Sequence, residues 1–374
     1  MVNSTPTQRN VALDVMRGLT IAAMILVNNP GSWDYVYWPL AHANWHGYTP
    51  TDLVFPFFLF ITGSAMFFGL SRFDYQPSSD ALKKLLKRVL IIFGIGLFLH
   101  AYPFIEPFSN LRIMGVLQRI AIAYGIAALA VLYLSNRGVI LFTVAILLLY
   151  WLILIVAGGV DPYSLEGNCI TPIDRLILGT SHMWDGKGIA FDPEGLMSTL
   201  PAIANVTAGF LTTKYLVSLP NNSVKIQKML MYGVGLIVLG HLWELVLPIN
   251  KSIWTSSYVV VTTGWALVIL GALISLCGSN IGLKIARPFQ IYGSNPLFIY
   301  GLSWVWMETY WIIPINYNGV EISLGEYLPE LFFNFFGRDG NANYWASHSF
   351  ALFHVVLFWV ISWALYKKRI FIKI

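Results

Sequence analysis

His42, Trp45, His46 and Asp52 crowd one short stretch of the chain, and Asn28 with Asn29 closes the apolar run just ahead of them. An imidazole titrates near neutrality and can act as a base or as a nucleophile, so group-transfer chemistry would be sought here first. His100, His182, His241, His348 and His354 are scattered without metal-ligand spacing, and Cys169 and Cys277 do not supplement them, so no metal is expected. G-x-S-x-G, P-loop and G-x-G-x-x-G patterns are absent, which removes the common hydrolase and nucleotide motifs.

Other polar groups sit where lipid would surround them. Arg112 and Arg119, seven residues apart, share a helix face with Gln118 beside them. Arg119 lies inside an apolar run and requires an acid or an anionic ligand, whereas snorkelling accounts for Arg112. Asp14 and Arg17 are placed to pair at i and i+3, and His241 and Glu244 share a face, with Trp243 pointing toward the interface belt. Thr49-Pro50-Thr51-Asp52 and Thr171-Pro172-Ile173-Asp174 read as capping boxes. Asp192-Pro193-Glu194 reads as an Asp cap with an acid in the first turn. For Asp52, Asp174, Asp192 and Glu194 the plain reading is therefore a helix cap.

The elements that must position these groups are membrane helices. Hydrophobic residues make up 57% of the 374 and charged ones only 11%, where a soluble domain carries about 25% charged. Apolar runs long enough to cross a bilayer are expected at about 11–29, 52–71, 86–104, 112–134, 138–158, 195–213, 227–247, 256–277, 288–306 and 347–366. The first run contains Asp14 and Arg17 and lacks a cleavage signature, so it reads as a retained helix. The expected fold is all-α: a polytopic bundle of about ten transmembrane helices forming one integral-membrane domain over 1–374.

Charge orients it. With an inside N-terminus, inner segments hold 17 of the 23 basic residues, from Arg9 to Lys373, and only Asp14, Asp74 and Asp80 of the 18 acids. This positive-inside bias puts both termini in the cytoplasm and Cys169 and Cys277 on opposite sides of a cell (inner) membrane. The net charge of +5 therefore reflects the inner loops facing a lipid bilayer and implies no nucleic acid. Inner loops are short and basic, while 159–194 and 307–346 are long, so an acceptor substrate would be handled at the outer face. No internal or inverted repeat is visible, which weighs against a transporter.

Taken together, LDVMRG (13–18), VNN (27–29), HANWHGYTPTDLVFPFFLFITGSA (42–65) and LRIMGVLQRIAIAY (111–124) resemble one family in order along the chain. IDRLILG (173–179), FDPEGLMSTLPAI (191–203), INKSIWTSSYVVVTTG (249–264) and YGSNPLFIY (292–300) extend the match. That family is the heparan-alpha-glucosaminide N-acetyltransferases and their bacterial membrane homologues. The resemblance implies transfer of the acetyl group of acetyl-CoA, supplied from the cytosol, to the amine of a glucosamine-type sugar on the far side. It implies His42 as catalytic histidine, first residue of the H-x-x-W-x-G run with Trp45 and Gly47, and Asn28 as the active-site asparagine. His46 stands where the family usually has Asn. An Asn amide suits an oxyanion donor, and His42 suits either a general base or an acetyl carrier. Arg112, Arg119 and Asn295 are then expected around CoA, Trp45, Asp52, Asp192 and Glu194 as caps or acceptor contacts, and a homodimer as the assembly. A membrane glycan O-acetyltransferase and a sugar transporter are the competing readings.

Overall fold

A computed structural model of the chain describes residues 11–372; Arg9 and Lys373, counted above among the inner basic residues, lie outside them. The described residues are largely helical, with thirteen α-helices. They run α1 (Val11–Asn28), α2 (Val54–Leu70), α3 (Ser79–Ala101), α4 (Val116–Tyr133), α5 (Asn136–Ala157), α6 (Ile170–Leu178) and α7 (Thr199–Ser218). There follow α8 (Asn222–Glu244), α9 (Ser256–Leu276), α10 (Asn280–Tyr292), α11 (Pro296–Ile312), α12 (Leu324–Phe336) and α13 (Asn341–Lys367).

Seven segments among the described residues are long and apolar enough to cross a membrane: α1, Pro50–Phe73 around α2, α4, α5, α8, α9 and α13. Three more of the expected spans fall in elements with visible reasons for being weaker. The first half of α3 carries Lys83, Lys84, Lys87 and Arg88, and α7 carries Pro201, Asn205 and several threonines. The expected span 288–306 is broken, because α10 ends at Tyr292 and α11 starts at Pro296. The residue before a proline is pushed out of the helical region. Asn295, at φ −132° and ψ 56°, marks that break.

The all-α expectation needs one correction. β1 (Pro314–Tyr317) and β2 (Val320–Ser323) pair antiparallel across Asn318-Gly319. Both turn residues have positive φ, the type I′ geometry that an Asn-Gly pair favours.

Burial sorts the helices into an inner and an outer set. Most of α1, α2, α4 and α9 is buried, while α5 and α8 expose Leu141, Leu148, Leu149, Val234, Val238 and Leu242 on their outer sides. Such apolar faces match a lipid surround. Among the inner helices α2 and α7 approach backbone to backbone. A Cβ on Gly63 would sit 1.8 Å from the Val206 carbonyl oxygen, and one on Gly209 would sit 1.9 Å from that of Phe60. Small residues permit this contact in membrane bundles, where dispersion contacts stabilise helix pairs.

Candidate active site

The site is assembled at the end of the bundle where α1 finishes and α2 begins. Thr49 caps a short 3₁₀ turn, Pro50–Leu53, that leads into α2, and the expected capping box is present. Asp52 Oδ2 accepts the Thr49 N–H at 2.9 Å and the Ala43 N–H at 3.0 Å. Its Oδ1 lies 2.7 Å from His42 Nδ1. Asp52 is buried at 1% exposure, whereas 44% of the His42 side chain is exposed. A carboxylate already accepting two backbone N–H groups presents lone pairs, so His42 Nδ1 donates the proton and Nε2 carries the free pair. Tyr258, in α9, donates its hydroxyl to the Asp52 carbonyl and ties this turn to the core.

Lys251 completes the group from the other half of the chain. Its Nζ stands 3.0 Å from His42 Nδ1, 3.3 Å from Nε2 and 3.5 Å from Asp52 Oδ1. The near-equal distances to the two ring nitrogens put the ammonium over the imidazole, off the in-plane lone pair of Nε2, which stays open. Burial pushes the Lys251 ammonium below its usual value, with Asp52 and Glu194 opposing that in part. No sequence pattern marks Lys251 as a functional residue, although it lies inside the INKSIW run. Nothing local to it points to a histidine more than two hundred positions earlier.

His46 sits one turn of loop away and makes a different contact. Its Nδ1 lies 3.4 Å from the Asn250 amide, while Gly47 N–H donates to the Ile249 carbonyl at 2.7 Å. Burial lowers the His46 imidazole against the pull of Asp161 and Glu244. Trp45 packs at a tilt against Phe191, with centroids 5.7 Å apart, and donates its indole N–H to the Tyr163 carbonyl. Lys187 donates to the Asn44 carbonyl at 2.8 Å. The 159–198 segment is thus fastened over the histidines. Asn28, at the C-terminus of α1, is exposed; among the described residues no hydrogen bond joins it to His42.

Arg112, partly exposed, and Arg119, buried, hold that same segment. Arg112 forms a bidentate pair with Asp192, at 2.8 and 2.6 Å, and reaches Glu194 at 2.8 Å. Burial works against the Arg112 charge, but both acids outweigh it and raise its pKa. Burial alone would raise Glu194, yet Arg112, Arg119 and Lys251 hold it below the usual carboxylate range. Arg119, fully buried, donates to the Pro193 carbonyl at 2.8 Å and to Ser198, and lies 4.6 Å above the Trp254 ring. Its Nε and Nη1 have no hydrogen-bond partner among the described residues.

Two expected helix starts are not formed. Asp192-Pro193-Glu194 makes a turn in which Asp192 accepts the Glu194 N–H, and α7 begins later, at Thr199. Arg112 competes for the carboxylate that would have capped the helix. Thr171 lies inside α6 because Asn168, three residues earlier, accepts its N–H and hydroxyl. Asp174 instead reaches forward to the Met197 N–H at 3.0 Å, and a Cβ on Gly195 would come within 2.0 Å of its Oδ2. Burial, partly offset by Met197 N–H and Arg119, pushes the Asp174 carboxyl up to about 6. Asn295 lies away from this end, clamping the chain's last described residues: its amide donates to the Ile370 carbonyl and its oxygen accepts the Ile372 N–H. Asp14–Arg17 and His241–Glu244 pair as expected, at 3.0 and 2.8 Å.

Residues 9–164 match the family model described as heparan-alpha-glucosaminide N-acetyltransferase, catalytic. The chain resembles the heparan-alpha-glucosaminide N-acetyltransferases. The human protein of that name is 26% identical over 348 residues, covering 77% of this chain and 52% of its own length. The mouse protein is also 26% identical, over 97% of this chain and 60% of its own. The chain therefore spans between half and two thirds of the length of these curated relatives. The matched segment holds Asn28, His42, Trp45, Asp52, Arg112 and Arg119, but ends before Asp192, Glu194, Lys251 and Asn295.

Proposed function

We propose that the chain is a multi-pass membrane acetyltransferase of about ten crossings, acting at the outer face of a cell membrane with both termini inside. It moves the acetyl group of acetyl-CoA to the amine of a glucosamine-type sugar. The observation that carries this is the His42–Asp52 pair: an exposed imidazole with its tautomer fixed by a buried carboxylate, inside the segment that matches the family model.

The roles follow from the atoms. Asp52 keeps Nδ1 protonated, so Nε2 is the atom that takes a proton from the attacking amine or accepts the acetyl group itself. Lys251 lies against the imidazole, and its ammonium is at hand for negative charge that develops on the thioester oxygen. Asn28 offers an amide N–H for the same oxygen. Trp45 and the 159–198 segment wall the acceptor side and exclude water. Arg112 acts on chemistry through Asp192 and Glu194, by fixing that wall.

The test is kcat with acetyl-CoA and glucosamine, together with acetyl-CoA binding, for His42→Ala, Asn28→Ala and His46→Ala. Loss of a base costs about 10²–10⁴-fold and loss of an oxyanion donor about 10²–10³-fold, with binding retained. His46→Ala is expected to be milder. A dead His46→Ala beside a normal His42→Ala would reverse the assignment, and acetyl found on a hydroxyl of the product would make the enzyme an O-acetyltransferase.

A further inference from the structure

At the end of the bundle opposite His42, the C-terminus of α2, the start of α3 and the middle of α4 enclose a cleft of about 310 Å³. It is lined by Arg72, Lys84, Lys87 and Arg88 with Tyr124 and Ile91. This volume is at the lower end of small-molecule sites, which run roughly 300–1,000 Å³.

Basic residues on an inner face are expected of any membrane protein and by themselves mean only orientation. Three features separate this cleft from that background. Among the described residues none of its four cations forms an ion pair with a carboxylate. Arg88 is held in place, its guanidinium 4.7 Å above the Tyr124 ring and Nη1 donating to the Tyr124 hydroxyl at 3.3 Å. And Arg88 Nε is shielded from solvent without a hydrogen-bond partner among the described residues. A guanidinium kept rigid with an unmet donor, beside three more cations, fits the oxygens of a phosphate.

We infer that this cleft binds a phosphomonoester or diphosphate group carried on a larger molecule. Two molecules supply that chemistry at an inner membrane face: the nucleotide end of CoA and the headgroup of an anionic phospholipid. The CoA source rests on the proposed acetyltransferase function. The 17 residues of α2 span about 25 Å from the Asp52 turn to Arg72, so an extended donor would reach His42 from here.

The experiment uses the full chain in phosphatidylcholine nanodiscs, with adenosine 3′,5′-bisphosphate as probe and phosphatidylglycerol as competitor in a second set of discs. The variants are Lys84→Gln/Arg88→Gln and the conservative Arg88→Lys, each checked for an unchanged melting temperature. The double variant is expected to bind the bisphosphate about tenfold or more weakly, with Arg88→Lys between it and the wild type. If the bisphosphate does not bind but phosphatidylglycerol is retained selectively by wild type and lost by the double variant, the occupant is lipid. If neither ligand distinguishes the double variant from wild type, the inference is overturned. Turnover is not the readout, so an inactive but bisphosphate-binding wild type would count against the acetyltransferase reading alone.

Discussion

Asp52 holds His42 and caps the start of α2 with one carboxylate, Oδ1 on the imidazole and Oδ2 on the Thr49 and Ala43 N–H groups. Folding of the α2 entry and fixing of the imidazole tautomer are therefore one event.

Asp52→Asn separates the two. The amide oxygen can still accept from backbone, so α2 persists, but the amide N–H₂ donates and can pair with Nδ1 only if that nitrogen is the acceptor, which moves the ring proton to Nε2. Turnover should fall about 10³-fold or more, while acetyl-CoA binding and melting temperature change little. Activity within tenfold of wild type would mean that the pair is a cap and nothing else.

Lys251→Met removes the cation beside Nε2. Loss of a donor to a developing oxyanion costs about 10²–10³-fold in kcat. The pH profile gives a second reading. Protonated Lys251 is the useful form, so the wild-type rate should be lost as pH rises through its titration, at a value that burial places below 10.5. Lys251→Met should lack that alkaline limb; a limb that persists would assign it to another group.

Asp174 makes a stability prediction. Its folded-state value, about 6, lies above the unfolded 3.8, so the folded protein holds the proton more tightly. The stabilisation is complete below the unfolded value and is lost as pH rises through about 6. A shift of this size corresponds to about 3 kcal/mol. Asp174→Asn keeps an acceptor for Met197 N–H and should flatten the melting temperature between pH 4 and pH 7. An identical pH dependence in the two proteins would rule Asp174 out as its source.

Topology is tested at Ser223, exposed at the start of α8. In a background with Cys169→Ser and Cys277→Ser, Ser223→Cys should resist an impermeant thiol reagent in intact cells and react after permeabilisation. Labelling of intact cells would invert the orientation.

Local spacing carried much of the site. The capping box at Thr49–Asp52 and the Asp14–Arg17 and His241–Glu244 pairs depend on neighbours three residues apart, and each is present. The hairpin has a local signature too, Asn318-Gly319 between short segments that carry Ile315, Tyr317, Val320 and Ile322. The contacts that close the site were not legible. Lys251 meets His42, and Arg112 meets Asp192, across chain separations at which spacing holds no information. Thr171 shows a local pattern losing to another local pattern, because Asn168 accepts the N–H and hydroxyl of Thr171 itself and the helix starts before it, at Ile170.

The glycine contact between α2 and α7 has a mechanical meaning. Asp52 stands at the head of one helix and the Ser198 that receives Arg119 stands at the head of the other, so the two walls of the site ride on a single strut whose backbones meet directly at Gly63 and Gly209. The lipid-facing α5 and α8 lie outside that strut. Thickening or thinning the bilayer costs a membrane protein only fractions of a kcal/mol per Å, absorbed by tilting of helices that contact lipid. Here that tilt would be taken up at the periphery, leaving the gap between the two walls the same in membranes of different thickness.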